Sequence, residues 1–187
     1  MLQRDGGCGA AVQMNRAVRP ILLCGRICAG KTTYAKRLGK TRGAVCLSCD
    51  ELMLALFGQQ LGDRHDEIVR RTTAYLFSKS LELLQAGVTV ILDFGFWRKS
   101  DRTAADSFFR SRGFAPEWHN VEPDEGVWKQ NTPDRNAPAA ADETVGYAVD
   151  AGLAEKCARL FEPPGREEMD VWFVNRREGD DAFGIHA

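Results

Sequence analysis

The chain lacks any apolar run near the length of about 18 residues that a membrane span requires, and no hydrophobic signal core opens it. The chain also lacks an excess of charge of either sign, because its formal net charge is only −1 over 187 residues. A balance of this kind argues against bulk attraction to nucleic acid or to a membrane surface. We therefore expect a cytoplasmic protein without a membrane partner, and a nucleic-acid partner is disfavoured.

The cysteines show no metal-binding pattern. There are six, but the Cys46-x-x-Cys49 spacing has no matching second pair, which disfavours a zinc site. Cys24 and Cys46 fall in predicted strands and are interpreted as small buried hydrophobic residues. Cys28 is either an inert small residue or an oxidation-sensitive thiol. Cysteines used in this way indicate a reducing setting.

The composition is that of an ordinary globular protein, with 44% hydrophobic and 27% charged residues. A chain of this length is expected to form one domain with its own core. Residues 1–18 are polar and glycine-rich and are predicted to form a flexible extension, in which Met14 is an alternative start. We place a single domain at 19–177 and a loose tail at 178–187.

Apolar segments alternate with helical patterns along the chain. Helices are predicted at about 63–86, 100–112 and 142–160, and a further helix begins at 32 and is predicted to end at Gly39. Strands are predicted at about 21–24, 45–48, 88–92, 116–121 and 171–174. This alternation predicts the α/β class, with a parallel sheet covered by helices on both faces.

The segment from Gly25 to Thr32 reads G-x-x-x-x-G-K-T, the pattern of a phosphate-binding loop between a strand and a helix. The glycines allow a tight turn whose N–H groups point inward and form an anion-binding nest. Lys31 is expected to reach the β- and γ-phosphates, and Thr32 to place its hydroxyl on Mg²⁺. The alternative, a bare turn, does not need Lys-Thr after the second glycine. The predicted nucleotide-binding residues are Gly25, Arg26, Ile27, Cys28, Ala29, Gly30, Lys31, Thr32 and Thr33.

Asp50 follows the second predicted strand. Ligands of open α/β sheets gather at the carboxyl ends of the strands, so Asp50 is expected near the γ-phosphate. A carboxylate there can accept a proton from an acceptor hydroxyl or orient it. A second interpretation, compatible with the first, is that Asp50 caps a helix that begins at Glu51.

Asp93 ends the third predicted strand in the Walker-B arrangement. It is predicted either to hold Mg²⁺ or to bind N–H groups of the following loop, and the two interpretations are equally supported. Phe94 and Phe96 are interpreted as core residues, and Arg98 as part of a pocket for the phosphate acceptor.

A Pro-rich loop at 131–142 carries Arg135. Phosphoryl transfer benefits from a guanidinium that closes over the transferring group, and a mobile loop can supply one. A solvated loop arginine is an equally supported interpretation. The three histidines do not cluster and are interpreted as structural or surface residues.

Together these residues resemble a bacterial P-loop kinase group that includes zeta toxins, chloramphenicol phosphotransferase and the kinase domain of polynucleotide kinase. Within that group the chain looks most like an uncharacterised subfamily of ATP-binding proteins. The resemblance covers roughly residues 18–175. The matching segments are 25–32, 47–52, 90–97, 135–136 and 161–164.

The resemblance implies a three-layer P-loop NTPase fold with a five-stranded parallel sheet of order 2-3-1-4-5. It also implies ATP as the phosphate donor, Asp50 as the carboxylate facing the acceptor, and a lid at about 127–160 that contains Arg135. The sequence departs from the group at Pro133, which disrupts a continuing helix. Lids of this group usually carry more than one arginine on a helix.

We therefore expect a P-loop kinase that uses ATP and Mg²⁺ to phosphorylate an alcohol group of a small molecule, with Lys31, Asp50 and Arg135 as catalytic residues. Sugars, nucleotide sugars, antibiotics and nucleosides all remain open as acceptors. A polynucleotide end is disfavoured because phosphate contacts need Lys and Arg. The alternatives are an ATPase or nucleotide-dependent switch without a phosphorylated product, and a non-catalytic nucleotide-binding module.

Overall fold

The computed structural model describes residues 18–58, 64–124, 126 and 151–176. Four expectations concern segments that lie wholly or mostly outside the described residues, and they stay predictions. These segments are the N-terminal extension, the C-terminal tail, Arg135 with Pro133, and the lid at 127–160. None of the helices within the described ranges is long and apolar enough to cross a membrane.

Five parallel strands form one sheet in the order β2-β3-β1-β4-β5. The central strand β1 is buried at every position, as expected for a strand covered on both faces. This arrangement confirms the expected P-loop NTPase fold and strand order. The strands are β1 Pro20–Cys24, β2 Val45–Ser48, β3 Val90–Gly95, β4 Glu117–Pro123 and β5 Val171–Asn175.

Helices cover the sheet on its two faces. Ala35 of the first helix packs with Ile21 and Leu23 on one face. Leu84 and Phe109, from the third and fourth helices, pack with the alternate strand residues on the other face. The helices are α1 Lys31–Arg42, α2 Cys49–Phe57, α3 His65–Gln85, α4 Lys99–Arg110 and α5 Ala151–Leu160, followed by a short 3-10 turn at Arg166–Glu168.

The expected end of α1 at Gly39 is wrong, because the helix continues to Arg42. Gly43 ends it, with a left-handed φ of 62° and an N–H that bonds the Gly39 carbonyl. Gly39 instead allows close packing between α1 and the chain that leads into β2. A Cβ at Gly39 would lie 3.2 Å from the carbonyl oxygen of Ala44, where β2 approaches the helix.

Two boundaries near the candidate site also differ from expectation. Helix α2 begins at Cys49 and is capped by Ser48, whose Oγ accepts a hydrogen bond from the Glu51 N–H at 3.3 Å. The interpretation of Asp50 as the cap is therefore wrong, and Asp50 lies in the first turn. Strand β3 runs through Asp93, because that residue still pairs in register with Ser48 of β2.

Candidate functional site

The loop between β1 and α1 is built around two glycines. Gly25 has a φ of 149°, and a Cβ there would lie 2.4 Å from the carbonyl oxygen of Val121 on β4. Gly30 has a φ of 87° and caps α1. A side chain at either position would strain the backbone, and it would clash with the β4 backbone at Gly25 and with the Asn175 side chain at Gly30. The loop conformation therefore depends on glycine.

Lys31 begins α1 and folds back over the loop. Its Nζ donates hydrogen bonds to the carbonyl oxygens of Gly25 at 2.9 Å and Arg26 at 2.8 Å. The ammonium is thus held beside the loop, close to the N-terminus of α1, where the helix dipole also favours an anion. This end of the loop suits a phosphate group.

Thr32 and Asp93 meet although they are far apart in sequence. The Thr32 Oγ1 donates to the Asp93 Oδ2 at 2.7 Å, and Asp93 is 7% exposed. A hydroxyl and a carboxylate are oxygen ligands of the kind Mg²⁺ prefers. Among the described residues no group of three or more His, Cys, Asp or Glu side chains is placed to hold a metal.

Asp50 and Arg98 both lie near the carboxyl edge of the sheet. Asp50 is exposed in the first turn of α2, two residues after Ser48, which is the register partner of Asp93. Arg98 is exposed at the N-cap of α4, and its carbonyl accepts the Asp101 N–H at 3.1 Å. Asp50 and Arg98, which are both predicted to contact the phosphate acceptor, therefore follow the neighbouring strands β2 and β3.

Asn175 is a site residue that the sequence reasoning missed. It ends β5, and its Nδ2 donates to the carbonyl oxygen of Ala29 in the phosphate loop at 3.1 Å. A Cβ on Gly30 would lie 2.3 Å from the same nitrogen. The available signal was a polar residue at the end of an apolar strand, at the sheet edge where ligands bind.

Arg102 of α4 is a second residue that the sequence reasoning missed, and unlike Asn175 it has no sequence signal. It is 3% exposed and pairs with Glu168 at 2.8 Å, which lowers the pKa of that carboxyl. Its Nη1 donates to the carbonyl oxygens of Phe96, Trp97 and Glu162. Phe96 has a positive φ of 42°, an uncommon conformation for a bulky residue. Arg102 thus holds the loop after β3 against the chain that follows α5.

His119 has the structural role expected of it. It is 1% exposed, and its ring nitrogens bond the Tyr34 hydroxyl at 2.7 Å and the Glu117 carboxylate at 2.8 Å. The histidine contact lowers the pKa of Glu117, while burial raises the pKa of Tyr34 to about 12. Since Tyr34 follows the phosphate-binding turn of α1, this network ties that helix to β4.

The cysteines of the described residues are all free thiols. Cys24 is fully buried, as expected, whereas Cys46 is only half-buried. Burial raises the pKa of Cys46 to about 12 and that of Cys49 to about 11.

The chain matches a family model over most of its length. Residues 21–160 match the AAA_33 model, described as an AAA domain. The match spans the phosphate loop, Asp50 and Asp93. No curated protein sequence matches the chain at a significant level.

Solved structures share the fold at low sequence identity. A candidate kinase from Chloroflexus aurantiacus is 20% identical with a TM-score of 0.61, over 80% of this chain and 83% of the other. A gluconokinase from Sinorhizobium meliloti is 13% identical with a TM-score of 0.57, over 85% and 83%. Chaetomium thermophilum Kti12 in complex with ADP-AlF3 is 16% identical with a TM-score of 0.61, over 87% and 91%.

Identities in this range establish a common fold, and the family match does not depend on them. The resemblance to the P-loop kinase group is confirmed at the level of family and fold. The chain belongs to the AAA_33 family of AAA domains and has a P-loop kinase-like fold, in which Gly25–Thr32 form the loop between β1 and α1.

Proposed function

We propose that the protein is an ATP-dependent phosphotransferase that moves the γ-phosphate to a hydroxyl group of a small molecule. The observation that carries the proposal is the 2.7 Å hydrogen bond between Thr32 and Asp93 beside the phosphate loop. The exposed Asp50 lies just past the strand that pairs with β3. This combination supports transfer to an acceptor, because a purely nucleotide-binding loop does not need the second carboxylate.

Each residue has a distinct role in the proposed reaction. The loop residues 25–33 bind the nucleotide, and Lys31 offsets the charge of the β- and γ-phosphates. Thr32 and Asp93 would hold Mg²⁺, which when bound neutralises charge on the phosphate oxygens. The acceptor oxygen forms a bond to the γ-phosphorus as the bond to the β–γ bridging oxygen breaks, the acceptor proton passes to Asp50, and ADP leaves.

Two arginines complete the proposed site. We assign Arg135 to stabilising the charge of the transferring group, as part of a lid at about 127–160. Arg98 is assigned to the acceptor side, since it follows β3 as Asp50 follows β2. The guanidinium group suits both roles because it keeps its charge at any working pH.

The kinases among the structural neighbours support nucleotide-dependent phosphotransfer as the general activity. One is a gluconokinase, and another is a sugar kinase from Janibacter sp. HTCC2649 with a TM-score of 0.52. The alternative is an ATPase or nucleotide-dependent switch without a phosphorylated product. The likeness to Kti12, crystallised with ADP-AlF3, is the observation that favours this alternative.

The test is a transfer assay with Mg²⁺ and γ-labelled ATP against a panel of hydroxylated metabolites, antibiotics and oligonucleotides. Asp50→Asn is expected to reduce labelled product at least about 100-fold while ATP binding is retained. Asp66→Asn is the matched control, because Asp66 lies in the first turn of α3 with a 94% exposed side chain. Free phosphate released equally by all three proteins, without a labelled acceptor, would favour the alternative.

A further inference from the structure

Strand β2 forms one edge of the sheet, and its outer side is open. Within the described part of the chain β2 pairs only with β3, and no sixth strand covers its other side. The Val45 N–H bonds the carbonyl of Thr89, which precedes β3, at 3.0 Å. Because backbone groups alternate along a strand, the N–H and C=O groups of Cys46 and Ser48 point to the open side. An edge of this kind is a template for pairing with another chain.

Exposed apolar side chains concentrate at the same edge. Among the described residues, the large hydrophobic side chains that remain exposed are Val45, Leu56, Phe57 and Tyr75. They lie on β2, α2 and α3, the three elements that line a groove along this edge. Apolar surface concentrated at one place marks an interaction surface.

The two ends of β2 carry opposite charge. Near its amino end the exposed Lys40 follows Gly39, where a Cβ would lie 3.2 Å from the Ala44 carbonyl oxygen. The other end leads directly into Asp50 and Glu51, the acidic first turn of α2. A second copy paired antiparallel places its acidic end beside the basic end of the first, and two-fold symmetry repeats the contact. Parallel pairing would place like charges together, so the charges favour an antiparallel pair.

The hydrogen bonds around β2 select one register for an antiparallel pair. The Ala44 N–H already bonds the Gly39 carbonyl at 3.0 Å, so it is not available to a second chain. A pair centred on Cys46 would need Ala44 as the partner of Ser48 and is disfavoured. A pair centred on Leu47 joins Cys46 of each copy to Ser48 of the other and uses only groups that already point outward. The two Leu47 side chains, which line the groove, then face each other across the axis.

We propose that the partner of this edge is a second copy of the chain, and that two β2 strands pair antiparallel about a two-fold axis at Leu47. The five strands of each copy then form one continuous ten-stranded sheet. Each copy covers apolar surface that is exposed when it is alone, and the outward backbone groups of Cys46 and Ser48 gain partners. The inference does not depend on the phosphotransferase activity, because only the fold and the surface of the β2 edge enter it.

Cys46→Pro tests the strand pairing, because it removes an N–H that points away from β3. Proline is tolerated at such a position of an edge strand, so the monomer should keep its fold. In sedimentation equilibrium we expect the wild type to show a monomer–dimer equilibrium in the micromolar range, since a short edge with an apolar flank is a small interface. Cys46→Pro should raise the dimer Kd at least about 10-fold, because two-fold symmetry removes the same hydrogen bond twice.

Charge reversal provides a second test that leaves the strand itself unchanged. Lys40→Glu and Glu51→Lys should each raise the dimer Kd about 10-fold, since each places like charges at both symmetry-related contacts. The double variant restores opposite charges and should return to within about three-fold of the wild type. Arg112→Glu, at an exposed position on the chain that leads into β4, is the control and should leave the dimer Kd unchanged.

A monomer at every concentration would overturn the proposal. A dimer Kd that Cys46→Pro leaves unchanged, or a double charge variant that dimerises no better than the single variants, would also overturn it. Hydrogen exchange locates the contact, because the Cys46 and Ser48 amides should exchange at least about 10-fold more slowly in the dimer than at monomeric dilution. Protection of these amides only on addition of a different protein would assign the edge to another partner and contradict the self-pairing.

Discussion

At the scale of single residues, the phosphate loop depends on a contact from the far edge of the sheet. The Asn175 amide donates to the Ala29 carbonyl and lies directly against Gly30. This contact holds the peptide between Ala29 and Gly30, and the orientation of that peptide helps to decide where the loop N–H groups point. We therefore predict that Asn175 helps to position the loop for the phosphates of a bound nucleotide.

Asn175→Asp keeps the side-chain shape but removes the donor and adds a negative charge near the phosphate loop. We expect the Kd for ATP to increase about 10-fold, which corresponds to roughly 1.4 kcal/mol, with a change of only a few degrees in Tm. Isothermal titration and thermal unfolding measure the two quantities. Glu122→Gln on the neighbouring strand is the control and should leave ATP binding unchanged. A wild-type Kd for Asn175→Asp would contradict the positioning role.

At the scale of elements, the loop after β3 is held by α4. The buried Arg102 joins that loop, the turn at Arg166–Glu168 and the chain after α5 through one guanidinium. The Glu162 side chain adds a second tie, because its carboxylate accepts the Lys99 N–H at 2.7 Å in the first turn of α4. Removing the guanidinium would take the Arg102 donor from the Glu162 carbonyl and would leave the Glu168 carboxylate with the Gly165 N–H but without its paired cation.

Arg102→Met is expected to lower the free energy of unfolding by about 3–5 kcal/mol, because it removes one partner of a buried ion pair. Arg110→Met is the matched control on the same helix. The Arg110 side chain is 57% exposed and pairs with Asp106, so its loss should cost about 1 kcal/mol or less. Urea denaturation measures both. Equal effects of the two substitutions would show that Arg102 is not an anchor.

At the scale of the whole molecule, two partly buried carboxylates make stability depend on pH. Contacts with His119 and with Arg102 lower the pKa of Glu117 and Glu168 below their usual 4.5. A carboxyl whose folded-state pKa is depressed stabilises the fold above the unfolded-state pKa, and the stabilisation is lost as pH falls through the folded-state value.

The contribution of these two carboxylates to the free energy of unfolding should therefore not change with pH near neutrality. It should decrease as the pH falls below about 4.5. Glu117→Gln should lower stability at neutral pH and make the decrease below pH 4.5 shallower. Glu155→Gln, at an exposed position of α5, should leave the profile unchanged. Urea titrations between pH 3 and pH 7 test this, and identical slopes for wild type and Glu117→Gln would contradict it.

The local pattern of the sequence determined the nucleotide loop and the alternation of strands and helices. Gly25, Gly30, Lys31 and Thr32 are contiguous, and their geometry follows from turn chemistry that neighbouring residues set. Apolar runs likewise marked all five strands to within a few residues, because a buried parallel strand is apolar on both faces. The strand order came from the family resemblance, and the parallel pairing of β1 with β3 and β4 bears it out.

Contacts between distant residues were decided by the tertiary structure. Thr32 and Asp93 are separated by 61 positions, and Ala29 and Asn175 by 146, so no periodic pattern connects them. They meet because the strand order places β3 and β4 beside β1, and β5 beside β4. Packing also decided which glycine ends α1 and which residue caps α2. Several residues had acceptable local chemistry for each role, and only the approach of neighbouring elements distinguishes them.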